Sequence, residues 1–235
     1  MRVLIAVGGL LVATNLAVAA DLPAPASIPP AVYVQPVPWT GVYFGANVGW
    51  NFGQVSGTGA ITGGLLDGLT PTVNGSANGA LVGTQIGFNY QINALVVGLE
   101  GDIELSGLRR TTTTGVINET VKIQWLGTVR GRAGFAIDRL MLYGTGGLAY
   151  VAVSDDITTT AFGPLFSASS GSVGWTAGAG VEAMIDQNWT VKFEYLYIRS
   201  NFSFSGPLAS ATGGSFTSSG TVSDNIVRVG FNFKP

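Results

Sequence analysis

Apolar and polar residues alternate with a period of two along most of the chain beyond residue 40. Over 41–53, Val42, Phe44, Ala46, Val48, Trp50 and Phe52 share one face, and Gly45, Asn47, Gly49 and Asn51 share the other. Over 79–91, Val82, Ile86, Phe88 and Tyr90 oppose Gly83, Gln85, Gly87 and Asn89; over 95–107, Leu95, Val97, Leu99, Ile103 and Leu105 oppose Glu100, Asp102 and Glu104. At 121–136 the apolar set is Val121, Ile123, Trp125, Val129 and Phe135, against Lys122, Gln124, Arg130 and Arg132. At 171–185, Val173, Trp175, Ala177, Val181 and Ile185 face away from Ser172, Thr176 and Glu182, and at 189–200 Trp189, Val191, Phe193, Tyr195 and Tyr197 face away from Lys192 and Glu194. The last segment, 221–233, sets Val227, Val229, Phe231 and Phe233 against Asp224, Arg228, Gly230 and Asn232. Segment 141–153 is apolar or glycine on both faces, so its orientation stays open. The pattern predicts eight strands.

The spacing between these segments also alternates. Tight turns are expected at 92–94, 137–139 and 186–188, separated by long connections at 54–78, 108–120, 154–170 and 201–220. A barrel crossing an outer membrane has this asymmetry, with short periplasmic turns and longer extracellular loops, whereas a soluble sandwich has no reason for it. The expected fold is all-β, an eight-stranded antiparallel up-and-down transmembrane β-barrel.

Charge sharpens the picture. Eleven strand charges fall on the glycine-rich phase: Glu100, Asp102, Glu104, Lys122, Arg130, Arg132, Glu182, Lys192, Glu194, Asp224 and Arg228. A basic residue facing lipid at the bilayer centre costs about 2–4 kcal/mol, so this phase is expected to face the interior. Arg199 lies on the opposite phase, at a strand end where a lipid headgroup could accept it. Each tryptophan lies within a few residues of a strand end, as interfacial girdles require. Eight strands leave room for little more than side chains, so the inward charges read first as a salt-bridge network in place of an apolar core. The alternative is a narrow path or solute site, with Arg130, Arg132 and Arg228 facing Glu100, Asp102 and Glu104.

Composition excludes other classes. Charged residues make up 10% of the 235, against about 25% in soluble domains. Beyond the N-terminus no unbroken apolar run is long enough for a spanning helix, and 35 glycines argue against long helices. Arg2, the apolar stretch that follows and Ala17-Val18-Ala19 predict a signal peptide over 1–20. Six of the ten prolines fall in 21–38, which predicts an extended periplasmic leader before a barrel at 39–235. Cysteine and histidine are both absent, which removes disulfides, thiolate chemistry and the usual zinc ligand and general base. No cofactor, metal or catalytic role is expected, and with a net charge of −2 neither is a nucleic-acid partner. Gly144-Thr-Gly146-Gly-Leu-Ala149 has the form of a dinucleotide fingerprint but lacks the helix and later acid that would make it one.

Three stretches carry a family resemblance: Trp39 to Trp50 (WTGVYFGANVGW), 125–150 (WLGTVRGRAGFAIDRLMLYGTGGLAY) and 173–197 (VGWTAGAGVEAMIDQNWTVKFEYLY). They resemble the alphaproteobacterial outer-membrane porin-like surface-antigen family, whose barrels are of the small OmpA type. The resemblance implies a structural barrel and surface antigen or adhesin-like protein supporting the cell envelope, with porin activity as the alternative. It also implies lipid, lipopolysaccharide and the outer-membrane assembly machinery as partners. Some relatives are associated with haem, which here would need Tyr or Met ligands. Such chains usually end on an aromatic residue read during assembly; this sequence ends Phe233-Lys234-Pro235.

Overall fold

A computed structural model describes residues 39–114, 117–159, 163–208 and 213–235. The expected signal peptide and leader lie outside the described residues. Nine β segments are present among those described: β1 (Gly41–Thr62), β2 (Thr72–Ile92), β3 (Leu95–Ser106), β4 (Arg109–Thr114), β5 (Ile117–Ile137), β6 (Leu140–Thr159), β7 (Gly163–Met184), β8 (Trp189–Pro207) and β9 (Ser215–Phe233). Every neighbouring pair is antiparallel. β3 and β4 both pair with β5, so they are two stretches of one strand interrupted at Gly107-Leu108. The result is an eight-stranded ring, closed by β1 against β9 from Phe44↔Phe233 to Thr62↔Ser215. Closure leaves the membrane-level strands without an open edge, which hydrocarbon would not tolerate.

The short turns stand where the sequence places them, and local chemistry explains each. Asn93 (φ 55°) and Asp138 (φ 51°) take the left-handed conformation that Asn and Asp tolerate best after glycine. In the third turn the Asp186 carboxylate accepts from the backbone N–H of Asn188 (2.8 Å) and Trp189 (2.7 Å).

The outer surface carries the apolar phase. Val48, Val82, Leu99, Ile103, Val129, Phe135, Leu148 and Phe193 are exposed, as lipid-facing residues must be in a protein without its bilayer. Aromatic pairs mark both rims of this band: Trp125 stacks on Tyr150 and Trp175 meets Tyr197 toward the long connections, while Trp189 and Phe44 both meet Phe233 at the short-turn end. Trp39 departs from the girdle expectation. It turns inside at the short-turn end, 2% exposed, against Met141, Tyr143 and Met184.

The long connections differ from expectation too, because most of their residues are strand. β1 runs 22 residues where a tilted membrane crossing needs about 9–11. Above the girdle the ring opens along two seams. β7 pairs with β8 only as far as Gly174↔Ser200, and β2 pairs with β3 only as far as Leu81↔Ser106, while the other ladders continue. The upper part is therefore two four-stranded sheets, β2-β1-β9-β8 and β4-β5-β6-β7, and buried apolar residues fill the space between. Val55, Ala77, Phe202, Phe204 and Val222 come from the first sheet and Ile123, Val151 and Val153 from the second, with Leu108 from the break beside it.

Candidate functional site: the barrel interior

Strand phase brings ten of the eleven expected charges inside. Glu100, Asp102, Glu104, Arg130, Arg132, Glu182, Lys192, Glu194, Asp224 and Arg228 are each 5% exposed or less. Lys122 is the exception, and a β-bulge is the reason. The β5–β6 register slips between Ile123 and Trp125, so Gln124 has no β6 partner and Lys122 and Ile123 point opposite to the phase that holds beyond it. Ile123 is consequently buried and Lys122 turns outward, where its ammonium donates to Asp156 at 2.9 Å with both side chains about one-third exposed. That bond and one from the Ser167 hydroxyl hold the Asp156 carboxyl below its ordinary value.

The inward groups form one continuous network. At its centre Arg130 donates through Nη2 to Glu100 (2.5 Å) and Asp102 (2.7 Å), and through Nη1 to Glu194 (3.1 Å). Lys192 Nζ donates to the same Glu100 oxygen at 2.7 Å. Arg228 bridges Glu194 (2.5 Å), Asp102 (3.1 Å) and Glu104. Toward the short turns, Arg132 donates to Glu182 at 2.5 Å, and Thr190 (2.6 Å) and Asn232 (2.8 Å) also donate to that carboxylate. Toward the upper end, Asp224 accepts from Asn51 at 3.1 Å and has no cation within ion-pair distance among the described residues. Asn47, Gln85 and Asn232 extend the polar lattice laterally through two 2.6 Å bonds.

Two tyrosines belong to the network and were not anticipated. Tyr43 accepts from Arg132 at 2.8 Å and donates to Glu100 at 2.7 Å; Tyr143 donates to Glu194 at 2.9 Å. The Arg132 guanidinium lies 5.6 Å from the Tyr43 ring centroid and 4.1 Å from that of Tyr143, within cation–π range. Glycine makes room for both, because a Cβ on Gly87 would collide with the Tyr43 ring and one on Gly180 with that of Tyr143. A signal was present in the sequence, since Tyr43 falls on the glycine-rich phase between Gly41 and Gly45.

What the interior can do follows from its layering. Charges fill the middle, and apolar residues close both ends. Leu126 stands level with Glu104, and above Arg228 lie Leu81, Leu196, Ile198 and Ile226, all five at most 3% exposed, with Asn51 and Asp224 among them; below Glu182 lie Trp39, Val96, Met141 and Met184. The space bounded by Trp39, Tyr43, Glu182 and Asn232 is about 20 Å³, room for a single water.

A closed eight-stranded ring with an apolar exterior, two aromatic rims and an ion-paired interior defines a small transmembrane β-barrel of the outer-membrane kind. The chain belongs to the outer membrane protein beta-barrel domain family, whose description matches residues 13–234. It is 33% identical over 194 residues to a 31 kDa outer-membrane immunogenic protein of Brucella melitensis, covering 79% of this chain and 81% of that one. It is also 40% identical over 112 residues to a 22 kDa outer membrane protein of Rhizobium leguminosarum bv. viciae, covering 47% of each. Among solved structures, the outer membrane protein OprG from Pseudomonas aeruginosa shares the fold, with a TM-score of 0.52 at 13% identity, covering 83% of this chain and 97% of OprG. The protein is thus an outer-membrane barrel.

Proposed function

We propose that this protein is a structural barrel with a closed interior, which supports the envelope and displays its upper sheets and hairpins as exposed, antigenic surface. The observation that carries the reading is the belt of buried aliphatic side chains at the upper end of the charge network. An ion path would have to cross Leu81, Leu126, Leu196, Ile198 and Ile226, and the polar groups at their level, Asn51 and Asp224, are buried and bonded to each other at 3.1 Å. The charged layer beneath it is consumed in mutual pairing, with each arginine contacting at least two acidic or phenolic groups. The immunogenic relative supports surface display, being similar over most of both chains.

The test is conductance of the folded protein in planar lipid bilayers, beside an Arg130→Ala/Arg132→Ala variant. Folding is checked first by the different mobility of unheated and boiled protein in detergent gels. The expected result is no steady opening in either. Steady openings whose size or ion selectivity changes in the variant would overturn the closed-barrel reading and establish a charge-lined channel.

A further inference from the structure

The outward faces of β1, β2, β8 and β9 carry a single charged side chain, Arg199. It stands one strand position above the girdle residue Tyr197 on the same face, and its cross-strand neighbours are Trp175 on β7 and Ser223 on β9. It is exposed, and among the described residues it has no acidic partner within ion-pair distance. The surface around it is concave and polar. A groove of about 520 Å³ runs from Arg199 across three further strands, floored by Thr221, Ser223, Gln54, Ser56 and Asn74. The register places Arg199, Ser223 and Gln54 side by side in one row, with Thr221, Ser56 and Asn74 in the row above. The groove has hydroxyl and amide donors, one guanidinium and no acid in its lining.

We propose that this groove binds the phosphate of an outer-leaflet lipid headgroup. The inference rests on the barrel's membrane placement, with the long connections outward, and it is independent of whether the interior conducts. The apolar band below Phe52 and Tyr197 would hold the lipid's chains beside the wall, which sets the headgroup at the level of Arg199. Arginine's planar fork suits phosphate, and its bond to an anion strengthens where the membrane boundary limits water. Uncharged donors on neighbouring strands add directionality without the mutual repulsion of a basic cluster.

The full-length protein, refolded in detergent, is offered lipid A or the same glycolipid stripped of both phosphates, and bound lipid is counted by native mass spectrometry. Wild type should retain the phosphorylated form about fivefold better, and Arg199→Gln should bring the ratio close to one. Gel mobility verifies that the variant is folded, and Arg139→Gln, at a short turn, should keep the full preference. Inorganic phosphate at matching concentration should not displace the lipid. The proposal is overturned by equal retention of both lipids in wild type, by an undiminished preference in Arg199→Gln, or by an equal loss in Arg139→Gln. Full displacement by inorganic phosphate would also overturn it, by making the groove a site for the free anion.

Discussion

Replacing Arg228 with methionine gives the most informative test of the interior. Arg228 is 1% exposed and bonds Glu104, Glu194 and Asp102 at once. Glu104 has no other cation within ion-pair distance among the described residues, so Arg228→Met leaves it buried and unpaired, to hold a bare charge or take up a proton, each at a cost in stability. Removing one partner of a buried pair costs about 3–5 kcal/mol, most of it the cost of the stranded charge. Glu104→Gln removes the opposite charge and leaves Arg228 the carboxylates of Glu194, Asp102 and Glu100, so its loss should be smaller, about 1–3 kcal/mol. In the double variant neither charge is stranded, and it should recover about 1–3 kcal/mol relative to the sum of the singles. Equilibrium urea unfolding in phospholipid vesicles, followed by tryptophan fluorescence, measures all four corners of the cycle. The reasoning fails if Arg228→Met loses less than about 1 kcal/mol, or if the double variant loses the full sum of the singles.

Gly180→Val should cost about 1–3 kcal/mol by driving Tyr143 away from Arg132 and Glu194, whereas Gly101→Ala, whose added methyl meets nothing nearer than 3.7 Å, should be nearly neutral; unfolding midpoints separate the two. Leu196→Ala empties a fully buried position in the upper apolar layer and should lose about 2–5 kcal/mol in the same assay, a loss an open water-filled lumen would not show. The partly exposed Lys122–Asp156 bond should contribute at most about 1 kcal/mol at neutral pH. Because folding lowers the Asp156 pKa, that contribution is present above the unfolded carboxyl's ordinary value and disappears as pH falls through the lowered one. The stability gap between wild type and Asp156→Asn should therefore close below about pH 4, and a gap unchanged at about pH 2 would contradict the assignment.

Strand number, turn positions and the inward phase were legible in the sequence because hydrocarbon enforces alternation without exceptions for context. Asn93, Asp138 and Asp186 announced their turns through side chains suited to left-handed or capped backbone. Lys122 was misplaced because a bulge adds one residue without any compositional mark, and the faces of Lys122 and Ile123 invert with it. Segment 141–153 kept its orientation hidden since its inward residues, Met141, Tyr143, Ala149, Val151 and Val153, are as apolar as its outward ones. Above the membrane, alternation no longer separates lipid from lumen. Serine, threonine and glycine there read as loop, although they form the outer faces of strands whose inner faces bury Val55, Phe202, Phe204 and Val222. The network's charged members followed from phase alone, but their pairing depends on spatial convergence around the ring, as between Arg130 on β5 and Glu194 on β8.

The two sheets that rise above the girdle bear on what an antibody raised against this protein would recognise. Their shape is held by a core of their own, in which Phe202 and Phe204 face Val151 and Val153 across the gap between sheets. Neighbouring surface residues such as Asn201 and Thr221, joined by a 3.0 Å hydrogen bond, lie 20 positions apart in the chain and on different strands. A synthetic peptide copied from either strand alone would reproduce neither the pairing nor the curvature. Antisera raised against the folded barrel should largely lose recognition once it is boiled, and a fragment that keeps this surface would need both sheets with the membrane-embedded ring that aligns them.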